Sequence, residues 1–222
     1  MTPERSEASP LAPVRRYRPL VVRAWHWLDA LVILGLLGTV LLRKTFLSWR
    51  TNAAYIEGTL QESGVPVPPG VAKAIAVGLR DRMWEWHYIL GFTLVGLLIV
   101  RIVTAIALPT ERPVATAIAA VRALRSASPA ERFEAAHVAL VKVGYVVFYL
   151  CVLFMAVTGT SMYFEERLGL GAAFVDTIKG LHEWAMWFFA FFAAGHIVGV
   201  VVAEHRGSAG IVSDMIRGGD RS

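Results

Sequence analysis

The protein has 222 residues, of which 56% are hydrophobic and 18% are charged, and its mean hydropathy is +0.54. These values indicate an integral membrane protein rather than a soluble globule, and the net charge of +5 does not indicate a nucleic-acid partner, because the basic residues lie mostly in loops and tails. The single cysteine, Cys151, excludes a disulfide framework, a zinc ribbon, a cysteine-ligated iron–sulfur cluster and a C-x-x-C-H site for covalent haem.

The chain opens with a polar tail over 1–21, whose first 19 residues are proline-rich and contain no apolar core of a signal peptide. We therefore expect no cleavage, so that the first hydrophobic helix stays in the protein. Basic residues cluster beside that helix and place the N-terminus on the cytoplasmic side. They are Arg15, Arg16, Arg18 and Arg23.

Four hydrophobic blocks are long enough to span a bilayer, which takes about 20 apolar residues. They predict helices over 22–43, 84–107, 136–163 and 178–204. The predicted fold is an all-α integral membrane four-helix bundle, with a single domain over 22–204 and a polar tail over 205–222. An even number of spans puts both termini in the cytoplasm.

The connections between these blocks predict short amphipathic helices at the membrane surface. In the outer connection 44–83, the breaker GVPVPPG is followed by VAKAIAVGL, whose apolar residues recur at helical spacing. The inner connection 108–135 contains a similar stretch, ATAIAAVRALRSA. The second outer connection, 164–177, is short.

Four of the six histidines lie near the ends of the predicted helices, at two depths. His87 and His182 begin the second and fourth helices at the outer side, whereas His26 begins the first and His196 ends the fourth at the inner side. The 14 residues from His182 to His196 fall about 40° short of four full turns and rise about 21 Å. The fourth helix therefore presents both histidines on one face.

Histidines at matched depth on facing helices are a common means of holding a cofactor in a helix bundle. The cofactor that fits is b-type haem, which is flat, apolar, non-covalently bound and able to take two axial imidazoles. One membrane histidine is equally well explained by interfacial location or by a hydrogen bond between helices, but four that pair by depth and face favour two haems. His137 and His205 are expected to be interfacial.

Glycines near the histidine levels would let a macrocycle approach the helices, although ordinary packing of small residues explains each glycine equally well. The candidates are Gly91, Gly144 and Gly195. Arg101 follows His87 by 14 residues and shares its face at the inner depth. It is expected either to pair with a haem propionate or to extend toward the inner headgroups.

Four segments around the histidines carry a resemblance to a known family: RAWHWLDAL, WEWHYILGF, KGLHEWAMW and AAGHIVGVV. They resemble the di-haem cytochrome b subunits of nickel–iron hydrogenases and formate dehydrogenases, and the related bacterial cytochrome b561 proteins. The closing stretch GIVSDMIRGG is also similar to the tail of hydrogenase-type subunits. The resemblance covers all four predicted helices.

The resemblance implies a four-helix bundle in the bacterial inner membrane that holds two haems b. The implied ligands are His26, His87, His182 and His196, with none from the third helix. It also implies a catalytic or electron-carrier partner on the outer, periplasmic face and a quinone near the inner haem. We expect the quinone around Asp29 and His137; Asp29 would either relay protons there or lie in the headgroup region.

The resulting hypothesis is transmembrane electron transfer, because bis-histidine haem has no open coordination position for oxygen. The largest outer connection, 44–83, is the expected docking surface for the partner. One alternative is a stand-alone quinol-oxidising cytochrome b without a dedicated partner. Another is a histidine-based metal or proton transporter, although the spans contain few of the carboxylates that such a protein uses.

Overall fold

The computed structural model describes residues 19–107, 112–205 and 211–218. These residues form eight helices and no strand. In chain order the helices are α1 (Leu20–Lys44), α2 (Trp49–Glu62), α3 (Val71–Ala107), α4 (Pro113–Ser126), α5 (Arg132–Tyr163), α6 (Glu165–Leu168), α7 (Ala172–His205) and α8 (Ile211–Arg217). Most of the predicted N-terminal tail, including Arg15, Arg16 and Arg18, lies outside the described residues, so the predicted orientation stays a prediction.

Four helices among the described residues are long and apolar enough to cross a membrane: α1, α3, α5 and the Ala172–Val202 part of α7. Large apolar side chains are exposed along them, among them Ile106, Leu140 and Phe191. In water such continuous apolar surface would be a liability, whereas lipid accommodates it. The prediction of an all-α membrane protein with four spanning helices is confirmed.

Helix α3 begins at Val71 rather than at 84. Gly70 has a φ of +86° and ends the proline-rich turn, and the Ala74 N–H then donates to the Gly70 carbonyl at 2.9 Å. The charged residues Arg80 and Asp81 interrupt the hydropathy of the segment but not its backbone hydrogen bonds. The VAKAIAVGL segment is therefore not a separate surface helix but the first part of α3.

Of the helices in the connections, α4 was predicted from the sequence, whereas α2 was not. Helix α2 packs against α3, and the Lys73 ammonium lies 5.0 Å from the centre of the Trp49 ring. Helix α4 forms where ATAIAAVRALRSA was predicted to be helical, and it packs against α5, with Ala117 and Ala120 buried. Helices α5 and α7 start at Arg132 and Ala172, earlier than the predicted 136 and 178.

The chain divides into two compact units. The larger unit is Asp29–Trp187, and within it Gly35 brings α1 close to α3, because a Cβ at Gly35 would lie 2.9 Å from Leu90 Cδ1. The smaller unit combines residues 1–28 with Phe188–Ser222. It contains the start of α1, the end of α7 and α8. The prediction of one continuous domain over 22–204 stays a prediction.

Candidate functional site

The larger unit contains His87 of α3 and His182 of α7. Their imidazoles are half-buried and interact electrostatically with each other. Each ring nitrogen Nδ1 is hydrogen-bonded to a threonine hydroxyl on a different helix. Thr39 Oγ1 of α1 lies 2.9 Å from Nδ1 of His87, and Thr158 Oγ1 of α5 lies 2.7 Å from Nδ1 of His182. The pair is thus fixed by α1, α3, α5 and α7 together.

A cation and an aromatic ring adjoin His87. The Trp84 ring meets the imidazole edge-on, with centroids 4.9 Å apart, and the Arg43 guanidinium lies 4.4 Å from the centre of the Trp84 ring. Arg43 is within electrostatic range of His87, and its Nε is buried without a hydrogen-bond partner among the described residues. A buried N–H in this position is costly unless a ligand accepts its hydrogen bond.

Helix α5 also fits closely against His182. A Cβ built on Gly159 would lie 3.3 Å from Cε1 of that imidazole, which is tighter than an ordinary van der Waals contact. Glycine at this position therefore lets the histidine ring lie directly against the backbone of α5. The contact is adjacent to Thr158, so neighbouring residues of one helix turn set both the position and the hydrogen bond of His182.

The smaller unit brings together His26 of α1 and His196 of α7. Their ring centroids are 6.1 Å apart, and the ring planes are inclined at 71°. The Phe192 ring stacks parallel to His196 at 6.0 Å, and the Trp27 ring contacts His26 edge-on at 5.4 Å. The predicted pairs His87–His182 and His26–His196 are thus each brought together within one unit.

Helix α8 joins the two helices that carry this second pair. The Arg23 guanidinium donates to the Ile216 carbonyl, and the Trp27 indole N–H donates to the Met215 carbonyl at 3.1 Å. At the other end of α8, the Val212 N–H donates to the Glu204 carboxylate of α7 at 3.3 Å. Side chains of α1 and α7 thus satisfy backbone groups at both ends of this short helix.

Arg101, the predicted propionate partner, lies beside Tyr149. Its Nε donates to the Tyr149 hydroxyl at 2.9 Å, and Thr104 is 3.4 Å from its Nη1. Asp29 is 6% exposed and within electrostatic range of Tyr149. The sequence predicted site roles for Asp29 and Arg101 but not for Tyr149 of α5, which interacts with both.

The other predicted residues are more peripheral. His137 is exposed on α5, and Nδ1 of His205 lies 2.8 Å from the Val201 carbonyl of its own helix. A Cβ added at any of the three candidate glycines would meet no described atom within 4 Å. Close packing of the described residues therefore does not require glycine at Gly91, Gly144 or Gly195.

The sequence analysis missed Thr39, Thr158 and Arg43. A signal was present, since each is a polar residue near the outer end of a predicted span, at the depth predicted for His87 and His182. Threonine is common in membrane helices because its hydroxyl bonds to its own backbone, and an arginine at a helix end is a normal boundary residue. Residue type alone therefore did not distinguish these three positions.

The donor sets fit haem. Each of the two sites offers two imidazoles. Haem needs only two, because the macrocycle supplies the rest. His26 and His196, with ring centroids 6.1 Å apart, would supply two imidazoles to one haem. The Arg43 Nε without a partner suits a propionate.

Four membrane-spanning helices that present paired histidines are the features of a membrane-bound b-type cytochrome. The family model of prokaryotic cytochrome b561 matches residues 17–218, and the chain belongs to this family. The protein is therefore a multi-pass membrane protein of a prokaryotic family that binds haem b and transfers electrons across the membrane. The predicted resemblance is confirmed. No curated protein and no solved structure gave a match to the chain.

Proposed function

We propose that the protein transfers electrons across the bacterial inner membrane through two haems b. His87 and His182 would hold the outer haem, and His26 and His196 would hold the inner haem. The observation that carries the proposal is that these four histidines form two separate pairs. His182 and His196 both lie on helix α7.

Haem, when bound, would supply one-electron transfer at its iron, and ligation by two histidines would leave no position for oxygen. The chain supplies the ligands and the electrostatics. Arg43 and Arg23 each have a buried Nε without a partner among the described residues; Arg43 interacts electrostatically with His87, and Arg23 precedes His26 by three residues on α1. We assign them to the propionates of the outer and inner haem; Arg101 donates to Tyr149, and its pairing with a propionate stays a prediction.

The haem assignment is tested by counting haems in purified variants. The pyridine haemochrome assay should give two haems b per wild-type chain. His87→Ala and His26→Ala should each leave one, and reduced-minus-oxidised spectra should show that different haems remain. His205→Ala is the matched control and should keep both. Wild-type protein without b-type absorption after dithionite reduction would overturn the proposal.

We place the redox partner, a catalytic or electron-carrier subunit, on helix α2 and the turn before it. Phe46 and Tyr55 are 79% and 73% exposed there, and α2 is not among the spanning helices of the described chain. The segment VAKAIAVGL also lies in the connection 44–83, but it belongs to the helix that carries His87. Its deletion would therefore disturb a haem ligand as well as the docking surface.

Phe46→Ala with Tyr55→Ala should instead abolish co-purification of the partner and leave both haem spectra unchanged. Leu168→Ala, which changes an exposed apolar residue of α6, should keep the partner bound. If the double variant retains the partner, α2 is not the docking surface. If wild-type protein oxidises quinol in membranes without any partner, the stand-alone cytochrome is the correct alternative.

We propose that quinone binds on the Asp29 side of the larger unit. A quinol releases two protons as it gives up two electrons, so its site needs groups that accept protons. Asp29 is a buried carboxylate close to the Tyr149 hydroxyl, which Arg101 holds by a hydrogen bond. His137 is exposed and would exchange protons with the aqueous side.

Asp29→Asn should therefore lower quinol turnover and change its pH dependence while both haems remain reducible by dithionite. The control is Asp176→Asn, which alters an exposed carboxylate of α7 and should have no effect. Unchanged turnover and an unchanged pH profile in Asp29→Asn would exclude Asp29 as the proton relay.

A further inference from the structure

The two imidazoles of the His87–His182 pair make the same kind of hydrogen bond. Each Nδ1 faces the hydroxyl of a buried threonine from a neighbouring helix, at 2.9 Å for Thr39 and at 2.7 Å for Thr158. The two threonines are 7% and 6% exposed. Because one lies on α1 and the other on α5, the arrangement occurs independently at the two histidines.

The surroundings of each hydroxyl determine which group donates. Thr39 Oγ1 lies 2.7 Å from the Leu36 carbonyl, and Thr158 Oγ1 lies 2.7 Å from the Phe154 carbonyl. A carbonyl can only accept, so the single hydroxyl proton of each threonine is directed to it. The hydroxyl oxygen then accepts from the imidazole, and the proton of each ring is on Nδ1.

A neutral imidazole with its proton on Nδ1 has its free lone pair on Nε2. Rotation of either ring would break its hydrogen bond to threonine and leave a buried N–H without a partner, which is costly in apolar surroundings. The two hydroxyls therefore fix both the tautomer and the orientation of His87 and His182.

We propose that Thr39 and Thr158 are positioning residues that hold His87 and His182 in the Nδ1–H tautomer, with both Nε2 atoms available to the iron of one haem b. This inference rests on the proposed haem ligation. Outer partners of this kind orient the ligand and raise its basicity. Back-bonding of threonine in a membrane helix accounts for the bond to the carbonyl but not for the second bond to an imidazole.

The hydrogen bonds predict an effect on redox potential. The Nδ1–H bond strengthens when the iron is oxidised, because ferric iron withdraws more electron density from the imidazole. The bonds therefore stabilise the ferric state, and their loss should raise the midpoint potential of the outer haem alone. Loss of an outer partner also typically lowers metal-site affinity about 10- to 100-fold.

The test compares Thr39→Val and Thr158→Val, which keep the shape but lose the hydroxyl, with Thr39→Ser and Thr158→Ser, which keep it. Haem content and potentiometric titration of both haems are the readouts. Each valine variant should raise the potential of one haem and should bind that haem at least about 10-fold more weakly than the wild type. Each serine variant should behave like the wild type.

Thr93→Val is the matched control, because the Thr93 hydroxyl on α3 donates to the Ile89 carbonyl at 2.8 Å and bonds to no imidazole among the described residues. It should change neither haem. If both valine variants keep the wild-type potentials and haem content, the inference is wrong, whereas two haems in the wild type still support the proposed ligation. A wild-type protein without haem would instead refute the ligation itself.

A measurement on the wild type covers the case in which the valine variants do not accumulate. Hyperfine spectroscopy of protein containing ¹⁵N-labelled histidine should show a proton on Nδ1 of both ligands of the outer haem. Iron bound through Nδ1, with the proton on Nε2, would overturn the inference.

Discussion

The two histidine pairs are held in place by different means. In the His87–His182 pair, each ring nitrogen is hydrogen-bonded to a threonine hydroxyl. In the His26–His196 pair, the rings contact aromatic neighbours, and no hydrogen bond to a ring nitrogen is present among the described residues. There, the helices are joined instead by α8, which is bound by Arg23 and Trp27 at one end.

The two pairs therefore illustrate two ways of holding a histidine in position as a haem ligand. A hydrogen bond to one nitrogen fixes the tautomer and the electron density of that imidazole, so its loss should change a redox potential. A helix that joins two other helices fixes the distance between their histidines, so its loss should change affinity for the cofactor. Loss of a hydrogen bond at the His87–His182 pair should therefore change a redox potential as well as affinity, whereas loss of the α8 contacts at the His26–His196 pair should change affinity alone.

The largest effect is expected on removal of residues 211–222, which eliminates α8. Three hydrogen bonds of α8 to α1 and α7 are lost, two of which involve a charged group and contribute up to about 3 kcal/mol each. Purified protein should lack most of the His26–His196 haem and keep the other, as measured by haem content and redox titration.

Removal of residues 219–222 alone is the control and should leave both haems in place. Equal loss of both haems in the longer truncation would show that α8 stabilises the whole protein rather than one pair. Full retention of both haems would show that α8 has no part in holding His26 and His196.

A large effect confined to the other pair is expected from Gly159→Leu. A Cβ at this position already lies 3.3 Å from Cε1 of His182, so a leucine side chain would displace the imidazole. Overpacking of this kind costs about 1–3 kcal/mol, which corresponds to roughly 5- to 150-fold weaker binding of the His87–His182 haem. Haem titration of the purified apoprotein measures the change.

Gly96→Leu is the matched substitution, because Gly96 is exposed on α3 and a Cβ there meets no described atom within 4 Å. It should bind both haems with wild-type affinity. Wild-type binding by Gly159→Leu would mean that His182 does not depend on its close contact with α5.

Arg43→Gln should change the redox potential of the His87–His182 haem in the opposite direction to Thr39→Val and Thr158→Val, which should raise it. Arg43 lies within electrostatic range of His87, and a nearby positive charge favours the reduced haem. Its removal should lower the potential of the His87–His182 haem, and Arg43→Lys should retain most of the wild-type value. Potentiometric titration measures both.

Arg82→Gln, which removes an exposed charge of α3, is the control for total charge and should leave both potentials unchanged. If Arg43→Gln shifts the potential of the inner haem instead, or shifts neither potential, Arg43 is not part of the proposed propionate site.

The spanning helices and the four paired histidines could be predicted from sequence, because long apolar runs are rare outside membranes and histidines within them are conspicuous. The start of α3 could not be predicted, because Arg80 and Asp81 end the apolar run of the sequence without interrupting the backbone hydrogen bonds of the helix. Helix α8 could not be predicted either. It has seven residues, which are too few for an isolated helix to be stable in water. Its hydrogen bonds to α1 and α7 join distant parts of the chain.

The hydroxyls of Thr39 and Thr158 illustrate the same limit at the level of side chains. Their depth could be estimated from position in the span, but their partners depend on the rotation of each helix about its axis. A rotation of about 100°, which is one residue, would turn a hydroxyl away from the facing imidazole. Hydropathy does not specify rotation to that accuracy, whereas packed side chains do.

The smallest effect is expected from Trp27→Phe, which separates the two roles of this residue. Phenylalanine keeps an aromatic ring beside His26 but removes the N–H that donates to the Met215 carbonyl. One neutral hydrogen bond contributes about 1 kcal/mol, so the His26–His196 haem should bind about 5-fold more weakly, and its potential should not change. Trp86→Phe, at an exposed position on α3, should have no effect. If the inner potential shifts without a loss of affinity, the indole acts on the imidazole directly, and the contrast between a pair held by hydrogen bonds and a pair held by a helix would not hold.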